Sequence, residues 1–279
     1  MRLLRTPYDA YLRFAADDGW AIGSHIALSI LMSLFPFLIF VTELAGFFGT
    51  KDLADQATKL LFEAWPKEVA DPIANEITNV LTTVRGSALT IGALFAVYFS
   101  SGGVESLRIG LNRAYNIEET RNWVVLRLES IGYVLIGAVG MIALAFLVVL
   151  GPLIFSTALK YLPWLEPLES TFTYARLGLA TIVLFVALMM MHKWLPAGKR
   201  TLGEIIPGII TTLVLWMVTG IGFGRYLAEF AGSYTRTYAG LASVMIALIF
   251  LYWTASIFVY GAELNDAIKK ARESQGAQS

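Results

Sequence analysis

The chain contains six apolar segments, each long enough to cross a lipid bilayer as a helix. A helix rises about 1.5 Å per residue, so roughly 20 apolar residues span the hydrocarbon core. Lipid offers no partner for a free backbone amide, and the segment must therefore be helical. The six spans are predicted at about 25–49, 88–107, 131–155, 176–195, 202–224 and 239–263.

The composition supports this interpretation and excludes several classes of functional site. Of the 279 residues, 57% are hydrophobic and 15% are charged, against about 25% charged residues in an ordinary soluble domain. The chain has no cysteine and two histidines, which excludes disulfides, thiolate metal sites and a cysteine nucleophile. A net charge of zero gives no reason to expect nucleic acid as a partner. The sequence predicts an all-α polytopic membrane protein without a cofactor, metal site or catalytic residue.

The distribution of lysine and arginine predicts the orientation of the helices. Thirteen of the 21 basic residues lie in the N-terminal segment, the 108–130 and 192–201 loops and the C-terminal segment. Cytoplasmic loops carry the excess of basic residues, so both termini are predicted to be cytoplasmic. The basic and aromatic 108–130 segment is typical of a contact with anionic lipid headgroups. Its candidate contact residues are Arg108, Arg113, Arg121 and Arg127.

The segments outside the spans have their own patterns. Residues 1–22 are weakly amphipathic and are predicted to lie on the inner membrane surface, next to a transmembrane domain at 23–268. The 50–86 loop repeats an apolar spacing that predicts two amphipathic helices outside the membrane. These helices either cap the bundle or form a lid over an outward-facing cavity. Residues 269–279 are predicted to form a polar cytoplasmic tail.

A narrow polar stripe follows the first span. At 100° per residue, five polar or helix-breaking residues share one face of that helix. The proline among them removes a backbone hydrogen bond and should bend the helix. The stripe is either a packing seam between helices or the wall of a polar pathway. Its members are His25, Ser29, Ser33, Pro36 and Glu43.

Three further spans carry a polar face with a glutamate. The candidates for a cavity or pathway on these helices are Tyr98, Glu105, Glu204, Thr211, Tyr252, Ser256 and Glu263. The glutamates at 105, 204 and 263 lie near the predicted cytoplasmic ends, where neighbouring lysines and arginines offer ion pairs instead. The third span is plainly apolar, which predicts a more peripheral position for it.

Four segments of the chain, in order, resemble the YihY/BrkB family of bacterial inner-membrane proteins. They are ALSILMSLFP at 27–36, GGVESLRIGLNRAY at 102–115, WLPAGKR at 194–200, and the region 238–265 with YAGLAS and YWTASIFVYGAELN. The resemblance covers residues 8–268 and implies a six-helix, all-α, multi-pass protein of the inner (plasma) membrane. It implies no single activity, since members are labelled ribonuclease BN, virulence or serum-resistance factors, or transporters.

Three functions can be compared with these features. A transporter or translocator of a lipid-like or anionic solute would explain the polar, Pro- and Gly-interrupted helices around a central cavity. A non-transporting scaffold or envelope-integrity protein would explain the same residues as packing seams. A ribonuclease would require metal-binding carboxylates, histidine clusters or a basic channel, and the sequence has no such motif. Transport is therefore preferred, with the scaffold as the alternative and no enzyme activity predicted.

Overall fold

The computed structural model describes residues 6–47, 89–145, 151–238 and 242–276. Every regular element in these ranges is helical. A short 3₁₀ helix at Pro163–Leu168 precedes the sixth of eight α-helices. The α-helices are α1 (Thr6–Ala16), α2 (Gly19–Phe47), α3 (Leu89–Ala114), α4 (Trp123–Ala145), α5 (Gly151–Tyr161), α6 (Glu169–Trp194), α7 (Leu202–Tyr238) and α8 (Ala242–Gly276).

In the part of the chain that the structure describes, five helical segments are long and apolar enough to cross a membrane, and they overlap the first, third, fourth, fifth and sixth predicted spans. Helix α3 covers the second predicted span but is not among the five. Its apolar residues are diluted by Ser100, Ser101 and Glu105, so the sixth crossing stays a prediction. The five segments are Gly19–Leu38, Trp123–Leu144, Trp164–Trp194, Leu202–Glu229 and Val244–Ser274.

Helix α1 packs against the C-terminal part of α8. Its buried Ala10 packs with Leu264 and Ala267 of α8. Arg13 Nη1 donates a hydrogen bond to Asp266 Oδ2 at 3.1 Å. Asp18 adopts a left-handed conformation with φ of 56°, a region that aspartate tolerates better than most residues. This turn lets the chain pass directly from α1 into α2.

The contacts divide the chain into two compact units, which we describe separately. The first comprises Met1–Leu34, Ser101–Ser130 and Ala187–Ser279, and the second comprises Phe35–Ser100 and Ile131–Val186. In the second unit, the rings of Phe155 and Phe172 stack with their centroids 4.6 Å apart. The 50–86 segment, with its predicted cap or lid, lies outside the described residues.

The first unit is built around close helix crossings at small residues. A Cβ atom added to Gly208 of α7 would collide with the carbonyl oxygen of Gly261 in α8. One added to Gly261 would collide with the Thr212 hydroxyl, and one added to Gly23 of α2 would collide with the Ser256 hydroxyl. Small residues let helix backbones approach each other closely, as in many membrane bundles.

Candidate functional site

A buried chain of hydrogen bonds joins four helices in the first unit. The Gly208 amide of α7 donates to Asn265 Oδ1 of α8 at 2.6 Å. Asn265 Nδ2 donates to the Tyr115 hydroxyl at 3.1 Å. That hydroxyl, just after α3, lies 2.9 Å from Nδ1 of His192 in the last turn of α6. We call Tyr115, His192, Asn265 and the adjacent Arg200 the tyrosine cluster.

The direction of this chain favours one tautomer of His192. The Gly208 amide can only donate, so it orients the Asn265 carboxamide with its NH₂ toward Tyr115. The Tyr115 oxygen therefore accepts from Asn265, and its proton is left to donate to His192 Nδ1. The neutral imidazole then carries its own proton on Nε2. That nitrogen is buried and has no hydrogen-bond partner among the described residues.

Tyr115 is held in its neutral form by its surroundings. Burial raises the pKa of Tyr115 to about 12, and its hydrogen bond from Asn265 opposes that rise. The guanidinium carbon of Arg200 lies 4.0 Å from the centroid of the Tyr115 ring, in a cation–π arrangement. The cluster thus combines one neutral phenol, one neutral imidazole and one cation stacked on an aromatic face.

A second polar layer ties the 116–122 loop to the 195–201 loop. Asn112 Oδ1 accepts from the Ala197 amide at 2.7 Å, and its Nδ2 donates to Glu119 at 3.0 Å. Arg121 pairs with Glu119 at 2.7 Å and donates to the Leu195 carbonyl oxygen at 3.0 Å. The hydrogen bonds from Arg121 are the main reason that the pKa of Glu119 falls to about 2.

Three of the four arginines predicted to contact lipid headgroups are engaged inside the protein. Arg121 also pairs with Glu129 at 2.7 Å, and Arg127 pairs with Glu105 at 2.7 Å. Arg108 is buried, 3.6 Å from Glu105, and donates to Ser130 Oγ at 3.1 Å. Arg113 is exposed and lies 3.7 Å from Asp18. Whether any of them binds anionic lipids stays a prediction.

The structure places the first-span stripe on a continuous helix α2, which runs through Pro36 without a break. Ser33 is buried, and a Cβ on Gly103 would lie 3.2 Å from its hydroxyl. His25 is exposed, whereas Ser29 and Pro36 are half-buried. Glu43 lies within α2, but its side chain falls outside the described residues.

The other candidates of the polar pathway have varied surroundings. Glu204 Oε2 accepts from the Thr201 amide at 3.1 Å, as in a helix capping box. Thr211 donates to the Pro207 carbonyl oxygen at 2.9 Å within α7. Ser256 is buried with an unpartnered hydroxyl among the described residues, and Glu263 is 2% exposed.

The two tyrosines of that set contact other aromatic rings. The Tyr98 and Phe99 centroids lie 5.7 Å apart, and the Tyr252 and Trp20 centroids lie 6.2 Å apart. The role of all these residues as a pathway stays a prediction.

An apolar groove lies between α7 and α8. Its lining residues include none of the tyrosine cluster. Its cavity volume is about 430 Å³, within the range of small-molecule sites. None of the predicted pathway residues lines it. The lining residues are Thr219, Gly222, Phe223, Tyr226, Ile249 and Trp253.

Neither the tyrosine cluster nor the groove was predicted from the sequence as a site. A signal for the cluster was present, because Tyr115, Arg200 and Asn265 each lie at the end of a family-like segment. The spatial convergence of Tyr115 and His192 had no signal, since 77 positions separate them. Among the described residues, no group of three or more His, Cys, Asp or Glu side chains is arranged to hold a metal ion.

Comparison with known proteins agrees with the resemblance. The model of the family described as virulence factor BrkB matches residues 10–279. YfkH of Bacillus subtilis (strain 168), a protein named as ribonuclease-like, is 26% identical over 95% of each chain. A UPF0761 membrane protein of Alteromonas mediterranea is 22% identical over 99% of this chain and 92% of its own.

A UPF0761 membrane protein of Rhodospirillum centenum is 25% identical over 93% of this chain, which spans only 56% of that relative. No solved structure matches the chain. The match of the family model over nearly the whole length, together with the membrane relatives, shows that this chain belongs to the BrkB family of membrane proteins.

Proposed function

We propose that this protein translocates a lipid-like solute across the bacterial inner membrane, with both termini in the cytoplasm. The observation that carries the proposal is the groove of about 430 Å³ between α7 and α8. Both helices are long and apolar enough to cross the membrane, so the groove lies on a membrane-spanning part of the chain. It therefore suits an acyl or other apolar chain.

The groove is selective through its shape. Lipid tails are as apolar as the groove walls. A solute that is already in the bilayer therefore gains little free energy from the hydrophobic effect when it enters the groove. Packing against Phe223 and Trp253 then decides what binds, while the hydroxyl of Thr219 offers a hydrogen bond to a polar group. An amphipathic molecule uses both kinds of contact.

A lipid-translocation assay tests this proposal. The full chain is reconstituted in vesicles that carry a fluorescent phosphatidylglycerol in one leaflet, and the label crossing to the other leaflet is measured. The wild type should raise the crossing rate above that of protein-free vesicles. Gly222→Leu fills the groove and should reduce the rate roughly fivefold, equivalent to about 1 kcal/mol of barrier.

Gly220→Leu provides the matched control for that experiment. Gly220 lies two residues earlier on α7, has open space around its Cβ position and does not line the groove. This variant should therefore keep the wild-type rate. Equal rates in the two leucine variants would show that the groove is not involved.

A scaffold role is the second candidate, and the close glycine crossings of the first unit favour it. Those contacts between α2, α7 and α8 leave little room for helix movement. A folded, reconstituted protein that moves no labelled lipid, while its removal from cells weakens the envelope, would support this alternative.

We do not propose RNA cleavage. The ribonuclease-like name belongs to a relative at 26% identity, and a shared fold at that distance does not establish a shared activity.

The proposed orientation is open to a direct test, because the chain has no cysteine. A single cysteine introduced at Ser274 should react with a membrane-impermeant maleimide only after the inner membrane is opened.

A further inference from the structure

Arg200 is half-buried and incompletely bonded. Its Nη2 donates to the Ala197 carbonyl oxygen at 2.8 Å. Its Nη1 is buried and has no hydrogen-bond partner in the described part of the chain. The guanidinium plane rests on the Tyr115 ring, with 4.0 Å between the guanidinium carbon and the ring centroid. The guanidinium is therefore held in place, while its Nη1 can still donate a hydrogen bond.

Arg200 also differs from its arginine neighbours in having no ion pair. Arg108, Arg121 and Arg127 each lie within 4 Å of a glutamate carboxylate. No carboxylate oxygen of the described residues lies that close to the Arg200 guanidinium, although Glu204 and Asp266 act on it electrostatically from farther away.

Those two carboxylates are already engaged by other groups. Glu204 accepts from the Thr201 amide at 3.1 Å. Asp266 pairs with Arg13 at 3.1 Å and with Lys270 at 2.6 Å. Neither carboxylate is therefore available to neutralise Arg200 at contact distance.

Burying the charge of Arg200 costs free energy unless a nearby group neutralises it. Burial lowers the pKa of Arg200, because it disfavours the charged form. A buried charge normally has a paired or hydrogen-bonded partner. The fully buried His192 adds a second polar atom, Nε2, that has no hydrogen-bond partner among the described residues. Arg200 Nη1 and His192 Nε2 both require a hydrogen-bond acceptor. The positive charge of Arg200 also requires an anion.

We propose that Arg200 is the core of a binding site for an oxyanion, either a phosphate or a carboxylate. The Tyr115 ring and the Ala197 carbonyl oxygen hold the guanidinium in place, so that Nη1 can donate to one anion oxygen. A planar, weakly hydrated guanidinium suits this geometry better than an ammonium would. The anion is free in solution or belongs to a lipid headgroup. The site is separate from the apolar groove, and binding at it does not depend on lipid movement.

Chemical protection tests the site in the unmodified protein. Purified full-length protein is treated with phenylglyoxal, which reacts with arginine, and the modification of Arg200 is quantified by mass spectrometry. Inorganic phosphate should slow the reaction at Arg200 relative to chloride at equal ionic strength, and should leave exposed Arg272 unprotected. Short-chain phosphatidylglycerol, compared with phosphatidylcholine, distinguishes a lipid headgroup from a free anion as the source.

Two substitutions complete the test. Binding of the protective anion is measured by isothermal titration calorimetry, and Arg200→Gln should weaken it about tenfold, as expected for the loss of a charge-assisted hydrogen bond. Lys199→Gln removes the adjacent exposed cation and should keep wild-type affinity. Arg200 that neither phosphate nor phosphatidylglycerol protects in the wild type would overturn the proposal. So would a loss of affinity in Lys199→Gln equal to that in Arg200→Gln.

Discussion

The Tyr115 hydroxyl lies 2.9 Å from Nδ1 of His192, although the two residues are 77 positions apart in the chain. Tyr115 follows helix α3, and His192 lies in the last turn of α6. The same hydroxyl accepts a hydrogen bond from Asn265 of α8. One oxygen atom therefore links α3, α6 and α8 in the first unit.

Removing that oxygen should destabilise the protein. Tyr115→Phe keeps the ring but leaves the Asn265 NH₂ and His192 Nδ1 without their buried partner. Unpaired buried polar groups cost about 1–3 kcal/mol each, so the thermal unfolding midpoint in detergent should fall by several degrees. Tyr8→Phe serves as the control, since Tyr8 is 63% exposed. An unchanged midpoint in Tyr115→Phe would contradict the hydrogen-bond chain.

The crossing of α7 and α8 should not tolerate a single added methyl group. Gly261→Ala places a Cβ against the Thr212 hydroxyl and close to the Gly208 carbonyl oxygen, which forces the helices apart. Overpacking of this kind typically costs about 1–3 kcal/mol. Gly220→Ala adds the same methyl group to an open position of α7, and it should be neutral or slightly stabilising. Thermal unfolding of both variants measures the difference.

The carboxylate of Glu119 should make stability depend on acidity. Its pKa falls to about 2 in the folded protein from an ordinary value of 4.5. The ionised form is thus favoured by folding, and its contribution is complete above the ordinary pKa. That contribution is lost as the pH falls from 4.5 through about 2.

Glu119→Gln should therefore be less stable than the wild type at pH 7, by about 1–3 kcal/mol. The difference should shrink on acidification below the ordinary pKa of glutamate. Unfolding is measured at neutral pH and at two acidic values, with exposed Glu118→Gln as the control. A difference that stays constant with pH would show that the shift in the Glu119 pKa does not contribute to stability.

Glu105 should act as a partner of arginines rather than as an isolated intramembrane charge. Glu105→Gln leaves the buried Arg108 without its carboxylate, and it also breaks the 2.7 Å pair with Arg127. Loss of one partner of a buried pair costs about 3–5 kcal/mol, and the half-exposed position of Glu105 should put the effect below that range. In a double-mutant cycle with Arg127→Gln, the two effects should be non-additive. Strict additivity would exclude a direct interaction.

Much of the fold follows from local sequence patterns. Apolar runs of about 20 residues predict spanning helices because the bilayer imposes the length and the backbone must bond to itself. Five of the six predicted spans overlap helices that satisfy these criteria. Helix α3 falls short because Ser100, Ser101 and Glu105 interrupt its apolar residues. A single sequence cannot show how neighbouring helices shelter such residues.

The candidate sites depend on contacts between distant segments. Charge counting located Arg121 and Arg127 in a basic loop, but only the three-dimensional structure shows that glutamates at 119, 129 and 105 neutralise them. The groove combines Gly222 and Phe223 with Trp253 of another helix. Helical periodicity identifies the faces of each helix but not which faces meet.

Two hydrogen bonds between α7 and α8 constrain how these helices can move relative to each other. The Gly208 amide bonds to Asn265, and the Trp216 indole donates to the Thr254 carbonyl oxygen at 2.9 Å. These bonds lie eight positions apart on α7, about 12 Å along its axis. Sliding or rolling one helix along the other would break both at once. Helices α7 and α8 should therefore move together as one unit.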